Sequence, residues 1–267
     1  MSADGAIANA LFQWALYGKQ YQTVKFLVQQ GADADYSDWV EDQNFSKVHK
    51  IVCGLSLDSL DEALLADPRS MNYKDALGRP NILDHQLAPP VSYAADRNHA
   101  DYVRLLLEAG AETDPVLPNG YIGGFVLNCA ARNATDPFVL KTLLDFGAKI
   151  ESAGVDGRTS LIHVARTDNA GFAKLLLGYG ADINAISAST QTPLTTAIIS
   201  NSHNVLRLLL GHCAKYHNDL RLEGPNLLQA AALYGDVETL RILTQADHFR
   251  LNYDKRFIGG FAKQLRE

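Results

Sequence analysis

Seven stretches of this 267-residue chain fall into one register with a period close to 33 residues. The clearest pair is Ala100–Asp114 (ADYVRLLLEAGAETD) and Ala170–Asn184 (AGFAKLLLGYGADIN). Aligned on the apolar residue that opens each unit, the register runs Leu11, Val48, Val91, Leu127, Leu161, Leu194 and Leu228, with gaps of 37, 43, 36, 34, 33 and 34 residues. A fixed period of this size predicts an array of small supersecondary units, each buried only against its neighbours, so fold and function must be read unit by unit.

Each unit divides into three parts, best seen in Thr192–Ala214 (TPLTTAIISNSHNVLRLLLGHCA). A short first helix carries paired small residues where neighbours press close: Ala94 and Ala95, Ala130 and Ala131, Ala231 and Ala232. A second helix ends in a leucine triplet (Leu105–Leu107, Leu175–Leu177, Leu208–Leu210). Gly-Ala follows at Gly31, Gly110, Gly147 and Gly180, where a helix C-terminus calls for a left-handed residue. Polar turn formers such as Asp156-Gly157 then lead into the next unit.

On these residues the chain resembles the ankyrin repeat family. The family's Thr-Pro-Leu-His-x-Ala-Ala motif is matched at Thr192-Pro193-Leu194 with Ala197 and at Thr159-Ser160-Leu161 with Ala165; it is echoed at Pro90-Val91 with Ala94-Ala95 and at Leu228 with Ala231-Ala232. Gly-Ala-Asp-x-Asn is matched in full at Gly180–Asn184 and in part at Gly31–Asp33. The resemblance covers about 240 residues and implies an all-α ankyrin-repeat solenoid of about seven helix-turn-helix units with hairpin-like turns. The repeats open near residues 9, 46, 89, 125, 159, 192 and 226, and the whole chain, residues 1–267, forms one such domain.

Departures from the pattern carry their own expectations. The motif histidine stands only at His49, with Ser92, Asn128, Ile162, Thr195 and Gln229 in its place elsewhere. Since that residue helps tie adjacent repeats in the family, apolar packing is expected to carry more of the cohesion here. The 43-residue gap implies an insertion near residues 79–88. ALYG at Ala15–Gly18 pairs with Ala232–Gly235, and IGGF recurs at Ile122–Phe125 and Ile258–Phe261, so residues 252–267 read as the opening of an eighth unit.

Composition narrows the function. A net charge of −6 argues against non-specific nucleic-acid binding, which needs a basic face. Three cysteines in different units, none at metal-ligand spacing, with no secretory leader and no stretch of membrane-spanning length, point to a reducing cytoplasmic or nuclear setting without membrane insertion. His212, Cys213 and His217 lie close together, but Cys213 takes the place of the Gly in Gly-Ala and no fourth ligand is evident, so no metal is expected. His163 follows the motif leucine and reads as a packed imidazole. Neither Asp156-Gly157 nor IGGF follows a strand, as a phosphate-binding loop requires. No nucleophile has a recognisable base, so no catalytic residue and no cofactor are assigned, and an enzyme is the least favoured reading.

The resemblance implies that partners meet the turn tips and the concave face formed by the first helices. Carried over by position, the partner-binding residues are Trp39, Tyr73, Arg97, Tyr121, Arg132, Arg158, Arg166 and Tyr234. The tip segments also include Ser187 to Gln191 and Asp219 to Glu223. Phe45 is expected to pack back onto the second unit, and Trp39 is the natural anchor if its ring is exposed. Arg97, Arg132 and Arg166 suggest a guanidinium ladder for an acidic, extended ligand, although Asp96, not Arg97, holds the matching position in the third unit. The leading reading is a monomeric, intracellular protein-binding scaffold. A regulatory co-regulator or inhibitor is the alternative, favoured if the faint likeness of Lys47–Pro68 to fungal multi-repeat proteins extends to a biosynthetic gene cluster.

Overall fold

The computed structural model describes residues 9–15, 20–33, 45–72, 91, 94–95, 98–114, 125–133, 136–154, 156–212 and 227–245. Among them every regular element is helical, which is the all-α class expected. The chain forms two compact units: residues 1–160 with 178–181, and residues 161–177 with 182–267.

In the first unit, residues 9–15 are helical and pair in sequence with α1 (Tyr21–Gln29). The second repeat contributes α2 (Lys47–Val52), α3 (Leu60–Ala66) and a 3-10 turn (Pro68–Asn72). Next come α4 (Ala100–Glu108), then α5 (Phe125–Asn133) paired with α6 (Pro137–Asp145). α5 packs on α6, and α6 packs on α4, the second helix of the preceding repeat. Phe12, Val24, Val48, Ile51, Leu106, Leu127, Leu140 and Leu143 are buried between these layers.

The second unit holds α7 (Ser160–Arg166, whose first residue belongs to the first unit), α8 (Ala170–Gly178, whose last residue belongs to the first unit), α9 (Pro193–Ile199), α10 (His203–Gly211), α11 (Leu227–Tyr234) and α12 (Val237–Gln245). First helix packs on first helix (α9 on α11), second on second (α10 on α12), and α9 also packs on its partner α10. Leu161, Phe172, Leu176, Ile198, Leu206 and Leu209 are at most 2% exposed and form the core.

Local sequence explains the helix ends. α9 begins with a reciprocal capping box: the Thr192 hydroxyl accepts from the Thr195 amide, and the Thr195 hydroxyl accepts from the Thr192 amide, with Pro193 at the first helical position. The Asp136 carboxylate caps α6 by accepting from the Phe138 amide at 2.9 Å, again with proline next in sequence. Second helices end as Gly-Ala requires. Gly147 sits at φ 86°, and the Ala148 amide donates back to the Leu143 carbonyl at 3.0 Å, as Ala32 does to Leu27 and Ala111 to Leu106.

Two features correct the sequence register. The first unit opens at Phe12, not Leu11: Phe12 is fully buried, whereas Leu11 is 53% exposed. The amide of Gln20 donates to the Ala15 carbonyl, as His99 does to Ala94 and Ser202 to Ala197, so Ala15 holds their place. ALYG of the first unit thus aligns one residue earlier in the seventh than the shared letters suggested. The second correction concerns the long second unit. Its second helix is capped by Ser59, eleven residues after Val48, whereas His99 precedes α4 only eight residues after Val91. Three of the extra residues therefore lie in the link from Cys53 to Asp58. That link is clasped by Lys47 and Asp58 at 3.0 Å, and Lys47 holds the Asp58 carboxyl below its ordinary range. The segment 79–88, where the insertion was expected, and the tail 252–267 lie outside the described residues.

Candidate partner-binding surface

The first helices end in a shared device. Asn98, Asp168 and Asn201, each seven residues past the opening residue, adopt left-handed backbone at φ 59°, 54° and 51°. Asn and Asp tolerate this conformation better than other residues with a Cβ. From there each side chain reaches one repeat ahead. Asn98 Oδ1 accepts from the Asp136 amide at 2.9 Å. Asp168 Oδ1 accepts from the amides of Asn204 and Val205 at 2.9 and 3.0 Å, and its Oδ2 accepts from Asn204 Nδ2. Asn201 Oδ1 accepts from the Asp236 amide and the Thr239 hydroxyl, while its Nδ2 donates to the Tyr234 carbonyl. These side chains satisfy amides at the start of the next second helix that would otherwise lack partners. The sequence reading missed this set; the signal was a recurring Asn or Asp at one register position.

A second polar tie corrects the expectation that the missing motif histidine leaves cohesion to apolar contacts. Asn128, in that position, is buried; its Oδ1 accepts from the Ser160 hydroxyl at 2.6 Å and its Nδ2 donates to the carbonyls of Ser152 and Arg158 at 3.4 Å. Asp114 extends the tie by accepting from the Ser152 hydroxyl at 2.7 Å and the Lys149 amide at 2.9 Å. His49, the one retained histidine, is buried, stacked on Phe45 with ring centroids 5.3 Å apart and bonded to the Ser46 hydroxyl. Phe45 therefore packs back as expected. His163 is buried too.

Of the eight proposed contact residues, Trp39, Tyr73, Arg97 and Tyr121 lie outside the described residues, as does the tip segment Asp219 to Glu223. In the first unit, Arg132 is half-buried in the last turn of α5. Arg158 is also half-buried; its guanidinium stands 3.3 Å from Asp156 and its carbonyl accepts from Asn128 and Gly154. In the second unit, Arg166 is exposed at the end of α7 and Tyr234 is 52% exposed at the end of α11. Arg132 and Arg166, the two described members of the suggested ladder, thus belong to different units. Ser187 departs from the expected tip: it is buried, and its hydroxyl accepts from the Gln191 amide at 3.1 Å, holding the turn in which Thr190 takes φ 59°.

The register positions five and six past the opening residue form a consistent set in the second unit. Arg166 and Thr167 are exposed, Ile199 is half-buried with Ser200 exposed, and Leu233 and Tyr234 are 70% and 52% exposed. The residues just before them, Ala165 and Ile198, are fully buried. Each first helix thus anchors one end in the core and offers the other to solvent.

Around this surface the charges are paired on the second helices. Glu238 bridges Arg207 and Arg241. Asp236 accepts from the Thr239 amide at 2.7 Å and stands 2.9 Å from His203 Nε2. The Thr239 amide, then His203, hold the Asp236 carboxyl down at about 2. In the first unit, Asp145 is held low by Lys141 and by the Tyr179 hydroxyl, which donates to it at 2.5 Å. A groove of about 350 Å³ opens between α1, the end of α2 and the start of α4, where the second repeat's second helix begins late. Among the described residues no three His, Cys, Asp or Glu side chains are grouped as metal ligands, and no helix is long and apolar enough to cross a membrane. Cys213 and His217 lie outside those residues.

Residues 127–221 match the family described as ankyrin repeats (3 copies). The chain is also 30% identical over 144 residues to ankyrin repeat protein nuc-2 of Neurospora crassa, across 53% of this chain and 12% of that protein. It is 30% identical over 108 residues to a putative ankyrin repeat protein of Rickettsia felis, across 40% of this chain and 25% of that protein. The chain therefore spans a quarter or less of the length of these curated relatives. Helix pairs stacked first on first and second on second and closed by Gly-Ala thus accompany a match to ankyrin repeats over residues 127–221.

Proposed function

We propose that this protein is a binding adaptor whose second unit presents the exposed ends of its first helices to an extended segment of a partner protein carrying acidic and apolar side chains. Ankyrin repeats generally mediate protein–protein interaction, so the role is recognition, not chemistry. The observation that supports this surface is the exposure of Arg166 in the fifth repeat and of Leu233 and Tyr234 in the seventh, at the fifth and sixth positions past the opening residue, with Ser200 exposed in the repeat between them. Packed helices stand about 8–10 Å apart. An extended chain advances about 3.3 Å per residue, so roughly every third partner residue meets a new repeat. Arg166 supplies a planar donor fork for a carboxylate, and Tyr234 with Leu233 supplies apolar area with a polar tip.

The test is affinity capture with the full chain and identification of bound proteins by mass spectrometry, repeated with Arg166→Glu and with Tyr234→Ala after circular dichroism shows unchanged helicity. Both variants are expected to weaken capture of the same partner, and Arg166→Glu to remove the salt dependence of binding. Capture at the parent level by both variants would place the binding surface elsewhere.

A further inference from the structure

We propose that the groove between α1, the end of α2 and the start of α4 takes the carboxylate of an acidic side chain from a partner protein. This contact lies within the first unit and is separate from the row of helix ends described above for the second. The groove opens where the second repeat inserts extra residues between Cys53 and Asp58 before α3 begins. Ile51, Val52 and Gly54, all buried, line it from α2; Gln22 and Lys25 line it from α1, and His99 to Tyr102 from α4. A space of about 350 Å³, roughly 7 Å across, is too narrow for a helix about 10–12 Å wide, so the occupant is a single side chain.

Charge selects the occupant. Lys25 is half-buried and forms no ion pair among the described residues. Asp101 turns away to Arg104 at 3.9 Å, with its own side chain 90% exposed. A half-buried ammonium without a counter-charge favours an incoming carboxylate over a neutral or cationic group. Equivalent joints show the same preference. Gly54 takes left-handed backbone at φ 73°; its amide donates to the Ile51 carbonyl, and the Leu55 amide donates to that of Lys50. Asn98 and His99 bond to Ala95 and Ala94 in the same way, and Asn201 and Ser202 to Ile198 and Ala197, so Gly54 holds their place in the second repeat. From that place in the fifth repeat the Asp168 carboxylate accepts from two first-turn amides of α10, those of Asn204 and Val205. Gly54 has no side chain to send forward, and the His99 side chain does not cap α4. Asp101 and Tyr102, the counterparts of Asn204 and Val205, therefore line the groove with the place of that carboxylate open.

The test titrates the full, isotopically labelled chain with a short alanine peptide carrying one central glutamate, and with its glutamine counterpart, while amide resonances are followed by NMR. The glutamate peptide is expected to shift the amides of Asp101 and Tyr102 and to bind at least about fivefold more tightly than the glutamine peptide. Lys25→Gln is expected to remove most of that difference. Gly54→Asn supplies the missing oxygen from within the chain, at a backbone conformation asparagine tolerates, and is expected to abolish the shifts. Circular dichroism checks that each variant keeps its helicity; if Gly54→Asn does not fold, Lys25→Gln carries the test. Equal affinity for the two peptides, an unchanged preference in Lys25→Gln, or no shift at Asp101 and Tyr102 overturns the proposal.

Discussion

At the scale of single residues, polar side chains decide how repeats are joined. Asn98, Asp168 and Asn201 adopt backbone that most residues avoid, and in return each satisfies amides of the following repeat. A net 0.5–1.5 kcal/mol per such bond, by order of magnitude, makes the set comparable with one large core residue. Asp236 stands at the centre of the joint between the sixth and seventh repeats. Its carboxyl is held from the ordinary 3.8 down to about 2 by the Thr239 amide and then by His203. A folded-state value below the unfolded one means its contribution is present above about pH 4 and is lost as pH falls toward 2. Amide exchange in α12 is therefore expected to quicken between pH 4 and 2 in the parent protein. The same measurement on Asp236→Asn should show a smaller change across that window; an equal change would remove Asp236 from the joint.

At the scale of elements, helix ends matter more than helix interiors, because these helices span only six to nine residues and isolated helices of this length do not persist in water. Two neighbouring glycines separate backbone freedom from space. Neither Gly178, the last residue of α8, nor Gly180 has any atom within 4 Å of an added Cβ, but only Gly180 has positive φ, at 90°. Gly178→Ala is expected to stabilise the protein by about 0.5–1 kcal/mol through the unfolded chain. Gly180→Ala should destabilise it by about 1–2 kcal/mol through left-handed strain. Thermal melts of the two variants check this: a shift of the same sign in both would contradict the assigned termini.

At the scale of the molecule, cohesion within each unit is sequential, each repeat being buried against its neighbours. Leu209 is fully buried in α10, and α10 packs on α12. Leu209→Ala is expected to cost about 2–5 kcal/mol. In urea denaturation followed by amide exchange, the loss should extend into α12 as well as α10. A parent-like transition would show that Leu209 is not part of the core.

The sequence alone determined the period, the helix pairs, the Gly-Ala termini and the core leucines, because each depends on local spacing and on which side chains suit a helix or a left-handed turn. It placed Phe45 and His163 in the interior and Arg166 and Tyr234 on accessible helix ends. Only tertiary structure decided between Leu11 and Phe12, since both are apolar and only packing says which one faces inward. The same holds for Asn128 and Ser187, polar residues whose burial depends on partners 24 to 32 residues away for the first and on a local turn bond for the second. The late start of α3 escaped notice because the extra residues change no apolar spacing inside either helix. The exposure of Ala232 and Leu240 was likewise decided by tertiary structure, because an alanine or leucine reads alike in sequence whether or not a neighbour covers it.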